Sequence, residues 1–312
     1  MKILIIQTRP GIGDFCLFLP YIHEIAKQFP KYKVSILTKK RTSAKEIVKN
    51  DDYIYEVIYL EDVIDEIQSK TKRFLKLIYF FREKDFQYAF IMHRSLRWYL
   101  ISKLSFIRNV FIYGFLKKKV DIYLDALKNC KKWLKKEDIK SACELRTYKK
   151  ENKNQIIIGI GSSGMTRRWF TINFIELIKK ISFITNNDCS FLIACGNNSS
   201  EKLISNEIID SLKNIKIFSL CDLRIDECLN KINGSKLYIG TDSGFMHLSA
   251  ALNVPTIALF GDTPLSYANY TKNIYPVIPD GYLEIGHNSL AMDKITIDQV
   301  FKKYLELSKN SL

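Results

Sequence analysis

The sequence predicts an α/β protein built as two successive units, each a parallel sheet wound with crossover helices. Three observations predict it. Short apolar runs rich in β-branched residues alternate with longer stretches of helical period, the pattern of parallel strands joined by helices. The alternation stops at a polar, charged stretch from Thr147 to Asn154 and then restarts. A chain of 312 residues, 47% hydrophobic, also holds more apolar mass than one compact unit normally encloses.

The expected strands of the first half are Lys2 to Gln7, Lys33 to Leu37, Ile54 to Leu60, Tyr88 to Met92 and Val110 to Tyr113. Between the first two, Leu17, Ile22, Ile25 and Ala26 form a helical stripe. In the second half the expected strands are Gln155 to Ile160, Ser190 to Ala194, Ile215 to Ser219, Leu237 to Gly240 and Thr256 to Phe260. Phe174, Leu177, Ile178 and Ile181 share one helical face, and Ile297 to Leu307 reads as a closing amphipathic helix. The expected domains are residues 1–150 and 151–312, with the last helix free to pack back on the first. Two such units imply a cleft, and ligands of doubly wound sheets gather beyond the carboxyl ends of the strands.

No run approaches the ~18 to 20 apolar residues that span a bilayer, and Met1 to Gln7 lacks the order of a signal peptide, so the expected location is the cytoplasm. Seven cysteines include no Cys-x-x-Cys pair and no nearby histidine pair; they read as reduced, buried small hydrophobes. The net charge of +15 is uneven: residues 101 to 150 hold fourteen Lys and Arg against five Asp and Glu. Lys117, Lys118 and Lys119, then Lys131, Lys132, Lys135 and Lys136, recur beside apolar residues such as Leu116, Leu124 and Trp133. That surface suits anionic head groups or a phosphorylated acceptor, or is simply a solvated lysine-rich face. No nucleic-acid-binding motif accompanies the charge, so no nucleic-acid partner is expected.

Three segments carry candidate chemistry, each directly after a strand. The first contains Gly11, Gly13 and Asp14. Its spacing is not Gly-x-Gly-x-x-Gly, which excludes a dinucleotide fingerprint. Asp14 is either a general base for an acceptor hydroxyl or a first-turn aspartate stabilised by the helix dipole. The second runs from Gly159 to Trp169, where small residues precede Arg167 and Arg168. Paired guanidiniums match phosphate oxygens and keep their charge; the alternative is a loop of solvated arginines with Trp169 as packing anchor. The third runs from Gly240 through Asp242, Ser243, Gly244 and His247 to Gly261. Asp242, Ser243 and Gly244 turn from a strand into an alanine-rich helix ending near Asn253, so backbone amides at a helix N-terminus offer a pyrophosphate site. His247, one turn inside, either bonds a leaving phosphate or is a satisfied buried histidine.

Asp242, Ser243, Gly244, two apolar residues and His247 resemble the Asp-[Ser/Thr]-Gly-x-x-His signature of the heptosyltransferases, glycosyltransferase family nine. Gly11 to Asp14, Arg167 to Trp169 and the run His93 to Arg97 fall where that family carries related motifs, so the resemblance covers nearly the whole chain. It implies a GT-B type fold of two facing Rossmann-like domains. The first would hold the acceptor through Gly13, His93, Arg94 and Arg97, with Asp14 as base. The second would hold the donor through Arg167, Arg168, Asn198, Asp242, Ser243, Gly244 and His247. Two departures stand out: Asn197, Asn198, Ser199 and Ser200 occupy the place of a ribose-binding glutamate, leaving Asn198 and Glu201 both open for that role, and Asp262, Thr263, Pro264 replaces the usual Pro-Thr-Asp order.

The resemblance implies an inverting transfer from ADP-heptose to an anionic, lipid-linked glycan acceptor, with peripheral contact at the inner membrane. No cofactor is expected, and with arginines at the phosphates and no Asp-x-Asp motif, no metal. Other readings are a different nucleotide sugar or a capsule, glycan or protein acceptor, an epimerase or hydrolase of a nucleotide sugar, and a basic non-catalytic binding module.

Overall fold

The structure is a computed structural model that describes residues 1–64, 67–114, 121–145, 153–162 and 164–309. Its strands divide between two compact units, Met1–Cys143 and Glu144–Leu312. Lys117, Lys118, Lys119, Leu116, Ser163 and the expected boundary at 150/151 lie outside the described residues.

The first unit runs β1 (Lys2–Ile6), α1 (Ile12–Gln28), β2 (Lys33–Thr38), α2 (Ala44–Ile47), β3 (Glu56–Tyr59), α3 (Leu60–Ile64), α4 (Lys70–Lys84), β4 (Tyr88–Ile91), α5 (Leu96–Leu104), β5 (Asn109–Ile112) and α6 (Ile122–Leu134). All pairings are parallel in the order β3-β2-β1-β4-β5. β1 is central and buried on both faces, hence its unbroken Ile-Leu-Ile-Ile run. The chain winds from β1 out to β3 and returns beside β1 as β4, so the topological switch point lies between β1 and β4. Leu4, Ile6, Ala89 and Ile91 face a core completed by Phe81 of α4 and Trp98 of α5. Phe90 faces the other way and meets Trp133 of α6 at 5.6 Å, on the side where α6 packs on α1 through the Tyr21 hydroxyl and Tyr123 carbonyl.

The second unit runs β6 (Lys153–Gly159), α7 (Thr171–Ile184), β7 (Ser190–Ala194), α8 (Ser199–Ser211), β8 (Ile217–Ser219), α9 (Ile225–Ile232), β9 (Ser235–Thr241), α10 (Gly244–Ala251), β10 (Thr256–Leu259), β11 (Ile274–Val277) and α11 (Ile297–Lys309). Its parallel sheet has the order β11-β10-β9-β6-β7-β8, which repeats the logic of the first and puts a switch point between β6 and β9. Val300 and Tyr304 of α11 join this unit's own core.

Each expected strand appears, with Ser190–Ala194 as expected and no end of the others moved by more than two residues. Leu60, expected to end a strand, already begins α3. Lys153 and Asn154, expected in a linker, belong to β6, where the Lys153 amide donates to the Gly234 carbonyl. The helix expected to end near Asn253 ends at Ala251, and Asn253 takes a left-handed conformation (φ 59°). β11 was not expected, because Pro276 cannot donate to a ladder; it is tolerated since β11 lies at the edge of the sheet. All seven cysteines are buried and form no disulfide. Burial pushes the Cys189 thiol up to about 11 and the Cys130 thiol up to about 12, which keeps them as inert thiols. No described helix is long and apolar enough to cross a membrane.

Candidate functional site

In the first unit the loop from β1 to α1 and the loop after β4 flank the switch point. The Arg9 Nε donates to Asp14 Oδ1 at 2.8 Å, and the Gly11 amide donates to Asp14 Oδ2 at 3.3 Å. Asp14 therefore caps the first turn of α1 in the manner of a helix-start aspartate, while its side chain keeps 16% of its surface open. Gly11 is extended (φ −93°), so it is wanted for space: a Cβ there would stand 3.1 Å from Asp14 Oδ2. Gly13 lies inside the first turn of α1. His93 follows β4, and burial, reinforced by the Arg9 charge, pushes its imidazole down to about 4. Arg9, Asp14 and the neutral His93 thus form one polar group at this end of the sheet.

The other two expected acceptor residues are placed differently. Arg94 makes a bidentate pair with Asp125 of α6 at 2.5 and 3.1 Å, and its buried Nε has no hydrogen-bond partner. The guanidinium is tied to the fold. Arg97 is exposed on the first turn of α5, 5.6 Å from the Trp98 ring.

In the second unit two glycines bring β6 and β9 unusually close. A Cβ on Gly240 would stand 2.5 Å from the Gly159 Cα, and one on Gly159 would stand 1.9 Å from the Tyr238 hydroxyl. The space they leave admits the fully enclosed Tyr238 ring. Its hydroxyl donates to the Thr241 carbonyl at 2.9 Å and lies 3.3 Å from Ser243 Oγ. The Thr241 hydroxyl in turn donates to the carbonyls of Gly159 and Gly161. The turn from Thr241 to Ser243 is therefore braced from beneath and from β6. Ser243 is the N-cap of α10 and Gly244 its first residue. First-turn amides of a helix have no acceptor within the helix and sit at its positive end, which suits a phosphate. His247 is buried, its Nδ1 2.8 Å from the Tyr270 hydroxyl and its Nε2 3.8 Å from Asp242 Oδ1. It ties Asp242 to Tyr270 and so steadies the turn.

The loop after β6 is held by the residues that break the expected order. Asp262 accepts from the Thr166 hydroxyl at 2.7 Å and from the Leu290 amide at 3.0 Å. Burial works against its charge, yet these donors and the Arg167 guanidinium hold its carboxyl below the usual range. Arg167 also contacts His287 Nδ1 at 3.2 Å. Arg168 is half-buried with its Nε unbonded, whereas Trp169 is a packing anchor whose Nε1 donates to the Ile295 carbonyl at 2.8 Å.

At the end of β7, Asn198 is the N-cap of α8, its Oδ1 accepting from the Glu201 amide at 3.0 Å. The Glu201 carboxylate turns back to the strand ends, where Oε2 accepts from the Gly196 amide at 2.5 Å. A Cβ on Gly161 would stand 2.9 Å from the same oxygen. The structure thus gathers Gly161, Glu201, Ser243 and Gly244 around the β6 and β9 ends, with Arg167 on the adjoining loop. Among the described residues no cluster of three His, Cys, Asp or Glu side chains is placed to hold a metal ion.

Arg9, Tyr238 and Asp262 were not assigned from sequence. Asp262 meets Thr166 across 96 positions, a separation that no local pattern encodes. For Tyr238 a weak signal existed, since Gly159 and Gly240 both end apolar runs.

Two parallel sheets in succession, each with its candidate ligand loops at a switch point, are the architecture of GT-B glycosyltransferases. The sequence profile of glycosyltransferase family 9 (heptosyltransferase) matches residues 115–278, and the chain belongs to that family. It is 33% identical over 115 residues to a lipooligosaccharide heptosyltransferase 2 of Campylobacter jejuni subsp. jejuni serotype O:2. That match takes in 36% of this chain and 34% of the relative, about a third of the relative's length. The fold is similar to that of E. coli ADP-heptose lps heptosyltransferase II (TM-score 0.76, 18% identity, 100% of this chain and 99% of the other). It is equally similar to E. coli heptosyltransferase WaaC with ADP (TM-score 0.76, 14% identity, 98% and 99%).

Proposed function

We propose that the chain is an inverting, metal-independent transferase that moves heptose, or a related sugar, from ADP-heptose to a lipopolysaccharide or lipooligosaccharide core acceptor. The observation that carries the reading is the braced turn from Thr241 to Gly244, which aims the start of α10 beyond the strand ends of the donor sheet. The adenine base rests on the relatives, one of which is described as holding ADP.

In the proposed reaction Asp14 takes the proton of the acceptor hydroxyl as its oxygen attacks the anomeric carbon. The bond from that carbon to the diphosphate oxygen breaks, and its electron pair leaves with ADP. Negative charge growing on the diphosphate is met by Arg167 and the amides of Ser243 and Gly244, fixed groups that stabilise the transition state without reorganising. One displacement inverts the configuration, and the cationic groups stand where a metal would otherwise be needed. Glu201, with Asn198 engaged as a cap, is the group for the ribose hydroxyls. Arg9 and His93 orient Asp14 and the acceptor. The enzyme works in the cytoplasm, at the inner face of the membrane that carries its lipid-linked acceptor.

The test is turnover of a panel of nucleotide sugars with a heptose-free core acceptor, read by mass spectrometry. ADP-heptose should be used, with product of inverted configuration by NMR and unchanged rate in EDTA. Asp14→Asn should lose at least ~1,000-fold in kcat while ADP affinity stays within about twofold. Turnover of donor without acceptor would replace the reading with an epimerase or hydrolase, and an active Asn variant would remove Asp14 as base.

A further inference from the structure

Exposed apolar side chains scattered singly are ordinary, but the first unit gathers them on one face. On α5, Leu96, Leu100 and Leu104 recur every fourth residue and are 59%, 41% and 47% exposed. On α4, Leu75 (49%) and Tyr79 (61%) share a stripe with Arg82 at helical spacing. Arg82 Nη2 donates to the Leu104 carbonyl at 2.8 Å, and its guanidinium lies 4.5 Å from the Phe106 ring, so the two stripes adjoin.

Phe106 carries the argument further. It is 76% exposed and holds a left-handed backbone (φ 63°), a conformation that favours glycine or asparagine and that a bulky side chain rarely adopts. A large aromatic kept outside the core, on a backbone that disfavours it, serves something other than the stability of the unit.

The rim of this face is cationic. Residues 70–84 and 96–108 contain nine Lys and Arg, among them Lys72, Lys76, Arg97, Lys103 and Arg108, and one acid, Glu83. A second copy of the chain would bring like charge onto like charge in a two-fold contact. An anionic bilayer matches on both counts: leucines and aromatics enter the head-group boundary while Lys and Arg meet lipid phosphates. α5 also begins right after His93, Arg94 and Ser95, so the face starts where the candidate acceptor residues stand.

We propose that the α4–α5 face is a docking surface for anionic phospholipid bilayers, with Leu100, Leu104 and Phe106 as the inserting side chains. The lysine-rich α6 is not that surface, since Phe90 and its neighbours in β4 place α6 on the opposite side of the sheet. For its purpose, access to a lipid-linked acceptor, the inference rests on the transferase reading; the test does not.

The full chain is floated with unilamellar vesicles of phosphatidylethanolamine and phosphatidylglycerol, and with phosphatidylcholine vesicles, while ADP binding is followed by calorimetry. Partitioning should favour the anionic vesicles at least ~10-fold, and drop about tenfold or more in Leu104→Ser or Phe106→Gly and in Lys103→Glu with Arg108→Glu. Phe106→Gly should leave the melting temperature equal or higher. Lys128→Glu with Lys131→Glu on α6 should stay within about twofold of the parent. ADP affinity unchanged throughout separates this surface from the donor site: vesicle binding without ADP binding would defeat the transferase reading and leave the surface standing. Equal binding to both vesicle types, loss on the α6 changes, or a lower melting temperature with unchanged binding in Phe106→Gly would overturn the proposal. So would concentration-dependent self-association, by sedimentation, that Leu104→Ser abolishes in a chain that ignores vesicles.

Discussion

Gly159→Ala tests how the donor turn is held. The new Cβ would stand 1.9 Å from the Tyr238 hydroxyl, 2.3 Å from Cζ and 2.6 Å from Cε2, where real contacts begin near ~3.4 Å. The ring is fully enclosed and must move by more than ~1 Å or push β6 from β9. Overpacking of this kind costs about 1–3 kcal/mol, and stranding the Thr241 carbonyl, which now accepts from Tyr238, adds about 1–3 kcal/mol. The gain from replacing glycine in a strand returns ~0.5–1 kcal/mol, leaving a net loss of about 1–5 kcal/mol. For a unit of this size that is ~3–15 °C in the melting temperature of the second unit, measured by calorimetry. ADP affinity should fall about tenfold, since the displaced hydroxyl no longer steadies the turn. The cause is isolated by a double-mutant cycle with Tyr238→Ala. That change alone should cost about 3–5 kcal/mol, but Gly159→Ala added to it should cost at least ~1 kcal/mol less than in the parent, because the clashing ring is gone. Additive losses within about 0.5 kcal/mol would refute the account, as would a melting temperature unchanged to ~1 °C.

Two further outcomes follow from groups around the strand ends. His93 has a folded pKa of about 4 against an ordinary value of 6.5, so the unfolded chain binds a proton that the folded chain refuses. Stability is therefore complete above 6.5 and lost as pH falls from there toward 4, by up to ~3 kcal/mol; His93→Gln should flatten urea midpoints across that window, and an unchanged slope would clear His93. Asp262→Ala removes the acceptor shared by Thr166 and Leu290, so the loop carrying Arg167 should become the first site of limited proteolysis and ADP should bind about tenfold more weakly. ADP binding and digestion like the parent's would show that Asp262 does not hold that loop.

What could be read from the sequence was whatever is enforced locally. The central strands of parallel sheets are covered on both faces, so they are continuous apolar runs, and β1 and β7 were placed within a residue. Asp14 and the Asp242 turn were found because strand, turn and helix follow one another in the chain. β11 escaped because Pro276 and the half-exposed Tyr275 break its run, and only an edge position explains them. Gly159 falls both in an expected strand and at the start of a candidate ligand segment, and the structure keeps it in the strand; its missing side chain admits Tyr238 from a neighbouring strand. The role of Asp262 and the engagement of Arg94 by Asp125 depend on partners brought in by folding, as does the place of His247 between Tyr270 and Asp242.

Pro276 has a consequence for the life of the protein in a crowded cell. The carbonyls of Asn273 and Val277 accept from the amides of Thr256 in β10 and of Phe260 just past its end, so by strand alternation the backbone of Pro276 turns outward, toward any strand that might approach. No donor is on offer at that point, and at the opposite rim β8 is only three residues long. Both borders of the sheet are thereby poor templates for a foreign strand, and a chain concentrated in one place is guarded against growing into fibres.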